Sequence, residues 1–582
     1  MTPILDPVLA AGVLVKQAAV QAFGDDLADV DPAVRRSDRA DLQADLAMGL
    51  ARKLKKAPAA IAKAIAEAIP TGGVIERAEV AGPGFINLTL SAAWLGDAAN
   101  HASSDDRAGV PRAPAPERIV IDYSAPNVAK EMHVGHLRST VIGDALARIL
   151  EWRGHTVLRQ NHLGDWGTPF GMLIEHLVDV GGLEADDVAV RELTAFYKAA
   201  RKKFDEDPTF ADRSRRRVVL LQAGDEPTLA MWRTLVDVSK AYLGTIYGKL
   251  GVTLRPEHFA AESFYNDRLG PLADELEKDG TAKISDGALC LFPAGFANKE
   301  GDPLPLIVKK RDGGYGYATT DLAAIRYRVK DLAATRLLYV IGTPQQQHLA
   351  MVFQSAKELG WIAPPARAEH IAFGQVLGPD KKIFATRAGE TFRLIDLIES
   401  AVARADAVIR EKLPDLDEGL RRELAPKIGI GAIKYADLSS DRIKDYVFDI
   451  DRMVAFEGNS AGYVQYAHAR TQSILRKAAD APLPGDAARV IGPPGEPAER
   501  ALVLQLLAYG GVIARVEAVL EPHLLTNYLY ELAMSLTAFW DKCPVLKAEP
   551  AVRASRLALV ALTGRALAQG LGLLGIDAPE RM

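Results

Sequence analysis

Apolar and polar residues follow their clearest pattern in the segment from Ile119 to Trp152. It opens with a short apolar run, Ile119–Tyr123, whose β-branched side chains favour a buried strand. Pro126 interrupts this run, and helical spacing begins after Gly135. The apolar residues that recur at this spacing are Leu137, Val141, Ile142, Ala145, Leu146, Ile149 and Leu150. The pattern therefore predicts a strand, a loop and a helix in immediate succession.

Two histidines, His133 and His136, stand where this helix begins, with Gly135 between them. A helix start carries unpaired backbone N–H groups and the positive end of the helix dipole, which suit a phosphate. Residues at this spacing share a face, so both imidazoles can donate hydrogen bonds to the oxygens of one phosphate. From the motif alone, a pair of ordinary histidines at a helix cap remains an equal interpretation.

The first 110 residues have the pattern of a small α+β domain. Helical periodicity and then strand-like alternation cover, in order, Pro7–Ala22, Ser37–Lys53, Pro58–Ile69, Val74–Val80 and Phe85–Leu90. A proline-rich stretch, residues 111–116, follows and predicts a stiff linker at a domain boundary.

From residue 117 to residue 395, strand-like runs alternate with helical ones. This alternation predicts a doubly wound, Rossmann-like parallel sheet, with an insertion at about residues 181–303. Ligands of such sheets lie beyond the carboxyl ends of the strands. Asp122, Asn127 and His133 all fall at or just after the end of the first strand, so we expect them at the binding site.

Strand signals nearly vanish after Thr391, and residues 396–582 predict an all-α helical bundle. The helical runs are Leu394–Glu411, Arg421–Ala436, Met453–Ala478, Glu499–Leu520, Pro522–Phe539 and Ala551–Leu574. Tyr463 and Tyr466 stand there beside polar and basic residues. Tyrosines at helical spacing often belong to a core, whereas exposed rings can stack on unpaired RNA bases, and the pattern leaves both interpretations open.

The composition limits the classes of protein to which this chain can belong. The 582 residues exceed one hydrophobic core, and a formal net charge of −5 argues against a protein that is basic overall. Basic clusters at residues 52–56 and 213–217 fit either solvated helix faces or RNA contacts. Two distant cysteines exclude a CxxC zinc site and make a disulfide framework improbable. Asp6 and Lys16 interrupt the first apolar stretch, and no long apolar run follows, so we expect a cytoplasmic protein without a membrane span.

Several separated motifs carry a family resemblance. SAPNVAKEMHVGHLRST at residues 124–140, NHLGDWGTPFGMLI at residues 161–174 and the terminal LGIDAPERM resemble arginyl-tRNA synthetase, a class I aminoacyl-tRNA synthetase of the bacterial type. The resemblance runs nearly end to end. It makes HVGH this chain's version of the "HIGH" signature, and it implies that His133, Gly135 and His136 bind ATP.

The resemblance also implies a second catalytic loop within residues 374–389, which corresponds to the family's "KMSKS" loop. Lys381, Lys382, Thr386 and Arg387 are expected to neutralise the pyrophosphate that leaves ATP. Ala388 stands where a second lysine of the consensus is expected, so we expect Lys130 to supply the missing charge from across the site. The resemblance also places His133 in the catalytic set, where it would contact both ATP and the amino acid.

The substrates follow from the same resemblance. The arginine-binding residues would be Asp122, Asn127, His133, Tyr317, Asp321 and Gln345. Carboxylates suit a guanidinium because the two groups form paired, charge-assisted hydrogen bonds. The tRNA-binding residues in the bundle would be Tyr463, Gln465 and Arg470. ATP would come with magnesium, no zinc site is expected, and a monomer would bind tRNA(Arg).

The implied reaction has two steps and needs no covalent enzyme intermediate. Arginine and ATP would give arginyl-adenylate and pyrophosphate, and transfer to tRNA(Arg) would release AMP. Two other classes stay open at this point. One is a different ATP-using nucleotidyltransferase, which would need no helical anticodon bundle. The other is a catalytically inactive relative that binds RNA, against which the intact HVGH, Lys130 and Asp321 argue.

Overall fold

A computed structural model describes residues 4–181, 190–378, 380–382, 392–482 and 490–582. The chain forms two compact units. The first, here the terminal unit, contains Met1–Ala113, Val408–Gly431 and Val454–Met582. The second, here the central unit, contains Pro114–Ala407 and Ala432–Met453.

The amino-terminal part of the terminal unit is an α+β layer with a four-stranded antiparallel sheet. The elements are α1 Pro7–Phe23, β1 Val34–Arg36, β2 Leu42–Ala44, α2 Leu46–Leu54, α3 Pro58–Ala68, β3 Ile75–Ala81, β4 Phe85–Leu90 and α4 Ala92–Ser104. The strand order is β1-β2-β4-β3. The helix predicted for Ser37–Lys53 is wrong in its first half, because β2 occupies that stretch. A strand of three residues is too short to show a period of its own.

The central unit is built on a parallel sheet. Its elements up to the last strand of that sheet are β5 Arg118–Asp122, α5 Val134–Arg153, β6 Thr156–Gln160, α6 Thr168–Asp179, α7 Val190–Glu206, α8 Pro208–Gln222, α9 Glu226–Leu250, α10 Asn266–Lys278, β7 Lys283–Ser285, β8 Ala288–Leu291, β9 Leu306–Lys309, α11 Tyr317–Arg326, β10 Arg336–Tyr339, α12 Gln346–Glu358 and β11 Arg367–His370. The sheet order is β11-β10-β5-β6, and every neighbouring pair is parallel. The carboxyl ends of these four strands therefore share one edge, as the sequence predicts.

A small antiparallel sheet, β7-β8-β9, lies between the two halves of the parallel sheet in the chain. The basic cluster at residues 213–217 is on α8. Arg213 pairs with Asp179, 2.9 Å away, and Arg217 pairs with Glu175, also at 2.9 Å. These two arginines therefore fix α8 against α6 within the fold.

The rest of the chain is mainly helical. Its elements are β12 Val376–Leu377, α13 Leu394–Lys412, α14 Glu418–Leu438, β13 Tyr446–Val447, α15 Ile450–Met453, α16 Ala461–Asp480, α17 Pro497–Leu507, α18 Tyr509–Val519, α19 His523–Lys542 and α20 Pro550–Leu573. The helix predicted for Met453–Ala478 starts later than predicted, at Ala461, because Ser460 caps the start of α16 by accepting a hydrogen bond from Tyr463 N–H. Within the terminal unit, α16 packs on α19 and α20, and α17 packs on α4 and α19.

One stretch, Pro497–Val519, is long and apolar enough to cross a membrane by length and composition, with a mean hydropathy of 1.6. Half of that window is buried against other helices of the terminal unit. A helix that packs on both α4 and α19 has the character of a core helix.

Candidate active site and RNA surface

The loop between β5 and α5 forms the centre of the candidate active site. Three of its non-glycine residues, Ser124, Ala125 and Ala129, have positive φ angles of 75°, 44° and 62°. Such conformations are costly and persist only where the surroundings enforce them. Here Ala125 N–H donates to Asn161 Oδ1 at 2.9 Å, and Ala129 N–H donates to Ser239 Oγ at 3.0 Å. The loop is therefore held in a strained shape by buried polar partners.

His133 is the N-cap of α5, and His136 lies in its first turn, as predicted. Gly135 N–H donates to His133 Nδ1, and His133 N–H donates to His136 Nδ1, both at 3.1 Å. Because both Nδ1 atoms accept, each neutral ring carries its proton on Nε2. The two rings stack 3.9 Å apart. A side chain at Gly135 would collide with His133, since an added Cβ would lie 2.8 Å from the His133 ring.

The histidine rings are held in the neutral form. Burial, together with the nearby His133 and Lys130, lowers the pKa of His136 to about 3. Burial and Lys130 also lower the pKa of His133. Near neutral pH the site therefore presents two neutral Nε2–H donors, so any phosphate contact from them is a hydrogen bond without a cationic charge.

The chain that follows the predicted lysine loop, at residues 392–394, is anchored next to this helix start. Val134 N–H donates to Phe392 O at 3.1 Å, and Leu394 N–H donates to Met132 O at 2.9 Å. Before the loop, β12 pairs with β13. The segment that follows the loop therefore lies beside HVGH.

Two lysines of this loop, Lys381 and Lys382, are exposed. Lys382 O accepts from Gly378 N–H at 2.7 Å, which closes a tight turn. Thr386 and Arg387 lie outside the described residues. Lys130 is also exposed, and its ammonium lies 4.4 Å from the centre of the Tyr197 ring on α7.

Asp122 has a partner within the chain. Its carboxylate lies 2.6 Å from the guanidinium of Arg328, which also donates to Gln160 Oε1 at 2.6 Å. Asp122 and Arg328 are 3% and 1% exposed, so this ion pair is buried. The expectation that Asp122 contacts the substrate guanidinium stays a prediction, because Arg328 pairs with Oδ2, while the buried Oδ1 has no hydrogen-bond partner among the described residues. Arg328 joins the ends of β5 and β6, and nothing in the sequence around it marked it.

Asp321 is the fifth residue of α11 and is accompanied by other acids. Burial, together with the nearby carboxylates of Asp165 and Asp321, raises the pKa of Glu262 to about 7. Asp165 is buried and is held by Ser263, whose N–H and hydroxyl donate to it at 2.9 and 2.6 Å. An acidic recess therefore lies beside α11, and sequence reasoning found only Asp321 of its three carboxylates.

The remaining residues predicted to bind arginine are open to solvent. Tyr317 is 76% exposed, and Asn127 and Gln345 are exposed as well. Asn127 pairs with Gly164 through the backbone, where an added Cβ would lie only 2.2 Å from Asn127 Oδ1. Gln345 directly precedes α12, the helix that carries His348. The His348 ring contacts Asp321, with Nε2 and Oδ2 2.6 Å apart.

The predicted RNA-contact residues lie on α16 in the terminal unit. Arg470 is exposed, and its guanidinium stacks 4.3 Å from the centre of the Trp540 ring. Tyr463 is half-buried, with its ring 5.5 Å from that of Tyr530 and its hydroxyl 3.3 Å from Thr537 Oγ1. These residues form an aromatic and cationic patch between α16 and α19.

Gln465 does not belong to this patch. Its side chain is fully buried, and its Nε2 donates to Lys427 O at 3.2 Å and to Asp577 O at 2.8 Å. The expectation that Gln465 contacts tRNA is corrected to a structural role, because a buried amide cannot reach RNA while it bridges two backbone carbonyls.

A parallel sheet, an HVGH helix start at its carboxyl edge and a lysine-bearing loop together define a class I aminoacyl-tRNA synthetase. Comparison with known proteins agrees. Residues 100–450 match the family model of tRNA synthetases class I (R), catalytic domain. Residues 12–90 match the arginyl tRNA synthetase N terminal domain, and residues 464–582 match the DALR anticodon binding domain.

Full-length relatives specify the family. The chain is 53% identical to the arginine–tRNA ligase of Thermobifida fusca, over 99% of this chain and all of that one. It is 51% identical to the arginine–tRNA ligase of Frankia casuarinae, over 97% of each. The crystal structure of the Plasmodium falciparum arginyl-tRNA synthetase superposes with a TM-score of 0.83 at 26% identity, covering 99% of both chains. The chain belongs to the arginyl-tRNA synthetase family, and its activity is the ATP-dependent attachment of arginine to tRNA.

Proposed function

We propose that His133 and His136 stabilise the charge that develops on ATP while the arginine carboxylate attacks its α-phosphate. Their Nε2–H groups are the donors, because both Nδ1 atoms already accept backbone hydrogen bonds. Donors that are fixed before the reaction need no reorganisation during it, and one such donor is worth roughly 100-fold or more in rate. Gly135 leaves room for the nucleotide against the helix start.

Pyrophosphate departure is assigned to the lysine loop. Lys381 and Lys382 supply positive charge from a tight turn, and Thr386 and Arg387 complete the set by sequence resemblance. Lys130 would compensate for Ala388 across the site. Magnesium would accompany ATP through phosphate oxygens and water, and its chemistry is to neutralise phosphate charge. No zinc enters this account.

Arginine selection is assigned to the acidic recess. Asp321 and Glu262 would accept hydrogen bonds from the substrate guanidinium, which is planar and always charged. A cation that enters the recess favours the ionised form of Glu262, so arginine binding near pH 7 would release a proton from it. Tyr317 would orient the side chain, while Asn127, Gln345 and His133 would hold the α-amino and carboxylate groups.

Asp122 has an indirect part in this proposal. Its ion pair with Arg328 fixes the ends of β5 and β6, and these ends carry the loops that form the site. Asp122 is therefore a positioning residue, and loss of its charge would leave a buried guanidinium without a counter-ion.

The bundle is assigned to tRNA(Arg) binding, with Tyr463 and Arg470 as base-stacking contacts. We assign residues 1–110 to a further tRNA-contacting domain, residues 117–395 to catalysis, with the insertion at about 181–303, and residues 396–582 to anticodon binding. The enzyme would act as a cytoplasmic monomer and would bind no membrane.

The observation that carries this proposal is the proximity of the Asp165 and Asp321 carboxylates to Glu262, where burial and these two charges raise the pKa to about 7. The test compares Asp321→Asn with a control, Asp331→Asn, whose carboxylate forms an exposed pair with Arg268. Asp321→Asn should raise the KM for arginine in ATP–pyrophosphate exchange by about 100-fold, since a buried charge pair is lost. The KM for ATP should stay constant. An unchanged KM for arginine in Asp321→Asn would remove Asp321 from the pocket.

A further inference from the structure

The terminal unit contains a cavity of about 580 Å³ that is separate from the residues assigned above. One wall is formed by β1 and the loop from β1 to β2, which together carry Arg35, Arg36 and Arg39. The facing wall is formed by α17 and α19, which contribute Arg500, Leu504 and Ser535. We call this cavity the arginine-lined pocket. Each of its lining residues belongs to the terminal unit.

Two of the four guanidiniums are balanced by carboxylates. Arg500 Nε donates to Asp41 at 2.8 Å, and the same guanidinium also donates to Leu90 O. Arg35 lies 3.5 Å from Asp45. The Arg500 pair holds the end of the loop from β1 to β2 against α17.

The other two guanidiniums are not balanced in this way. Arg36 donates to the amide oxygen of Gln505, a neutral acceptor, and forms no ion pair with a described residue. Burial lowers the pKa of Arg36, and the more distant carboxylates of Glu531 and Asp6 oppose this shift. Arg39 is exposed and also forms no ion pair with a described residue. Among the lining residues, Asp41 is already paired with Arg500, so Asp38 is the carboxylate left to offset the charges of Arg36 and Arg39.

We propose that the arginine-lined pocket binds a phosphate group, presented either by the tRNA backbone or by a free mononucleotide. Guanidiniums bind phosphate through paired N–H donors, and the hydroxyls of Ser37 and Ser535 add two neutral donors at the wall. Leu504 gives an apolar surface against which a sugar can pack. The volume accommodates a single nucleotide, and a helical duplex would not enter it. Binding of a phosphate from tRNA rests on the proposed function, whereas binding of a phosphate from a free mononucleotide does not.

The first arm of the test measures tRNA(Arg) binding as a function of salt for the full-length enzyme. Arg39→Glu is compared with Lys63→Glu, an equal charge change on exposed α3 outside the pocket. If the pocket holds a backbone phosphate, Arg39→Glu should weaken binding on the order of ten-fold. The slope of log K against log salt should also decrease by about one. Lys63→Glu should leave both values near those of the parent.

The second arm measures line broadening of inorganic phosphate by ³¹P NMR in the absence of tRNA. A free phosphate ligand predicts broadening that Arg39→Glu reduces and that Lys63→Glu retains, because Lys63 lies outside the pocket. Thermal unfolding of each variant establishes that it is folded, and Ser535→Ala provides a second, uncharged change in the same wall.

The two arms have distinct outcomes. Loss of tRNA affinity in Arg39→Glu alone assigns the pocket to tRNA, and loss of phosphate broadening with normal tRNA affinity assigns it to a free phosphate ligand. Equal effects of Arg39→Glu and Lys63→Glu on tRNA, together with no phosphate broadening at the pocket, would overturn the proposal. Neither arm depends on arginine activation, so a failure of the catalytic assignment is detected separately by ATP–pyrophosphate exchange.

Discussion

The Nε2 atom of His348 lies 2.6 Å from Oδ2 of Asp321, so α11 and α12 are joined at the carboxylate assigned to the substrate guanidinium. The hydrogen bond to Asp321 raises the pKa of His348, and burial opposes the shift. On the proposed role of Asp321, protonated His348 would compete with arginine for the same negative charge. The histidine would therefore couple arginine binding to pH.

A pH dependence of arginine binding follows. The KM for arginine should be high below pH 6.5 and should fall as pH rises through the raised pKa of His348. His348→Gln should flatten this change and leave the contribution of Glu262, which titrates near pH 7 in both proteins. The measurement is ATP–pyrophosphate exchange at a series of pH values, and parallel profiles in the two proteins would refute the coupling.

The ion pair between His348 and Asp321 also makes the stability of the fold depend on pH in a definite direction. Because the folded-state pKa of His348 is raised, its contribution is fully present below pH 6.5 and is lost as pH rises through the folded-state pKa. The difference in Tm between the parent and His348→Gln should therefore be largest in acid. This provides a control that is independent of turnover.

His136→Ala should lower kcat for arginine activation by roughly 100-fold and leave the KM for arginine nearly unchanged. The reason is that His136 donates to phosphate and does not contact the guanidinium. With a pKa of about 3, His136 should add no inflection to the kcat profile near neutral pH. His101→Ala, an exposed histidine of α4, is the matched control. Parent-like turnover in His136→Ala would contradict the assignment.

Asp122→Asn should reduce the free energy of unfolding by about 3–5 kcal/mol, because it leaves Arg328 buried without its counter-ion. Asp331→Asn removes an exposed carboxylate 2.7 Å from Arg268 and should cost at most about 1 kcal/mol. Denaturant unfolding of both variants measures the difference. Similar losses in the two variants would show that the Asp122 pair is no more important than a surface pair.

Tyr463→Ala should weaken tRNA binding by about 1–3 kcal/mol through the loss of one stacked base. Since the ring is half-buried beside Tyr530, some loss of Tm is also expected. Tyr463→Phe retains the ring and removes only the hydroxyl near Thr537, so it should keep tRNA affinity. If Tyr463→Ala has a lower Tm with normal tRNA affinity, the ring packs the bundle and does not contact RNA.

Much of the fold was predictable from local pattern. The strand and helix around HVGH, the parallel sheet and the helical carboxyl-terminal region each carry a clear periodicity over many residues. Short strands such as β1 and β2 do not, and the helix predicted across Ser37–Lys53 was wrong in its first half for that reason. The start of the helix predicted from Met453 was also wrong, because α16 begins only at Ala461.

The site was only partly predictable. Site residues that are close together in the sequence were found, whereas partners that are far apart in the sequence were not. His133 and His136 were found because the motif is local and its strand–loop–helix context is visible. Arg328 lies far along the chain from Asp122, and Glu262 lies far from Asp321, so no local pattern could pair them. Gln465 was assigned to RNA from its neighbours in sequence, but helix geometry turns it into the core.

The most direct test is arginine-dependent ATP–pyrophosphate exchange over a panel of amino acids, run with and without tRNA(Arg). The account predicts exchange with arginine, with lysine and citrulline poor because neither presents a guanidinium to Asp321 and Glu262. It also predicts that Asp321→Asn loses most of the preference for arginine over citrulline. Exchange that favours another amino acid, or the absence of exchange in both the presence and the absence of tRNA, would contradict the account.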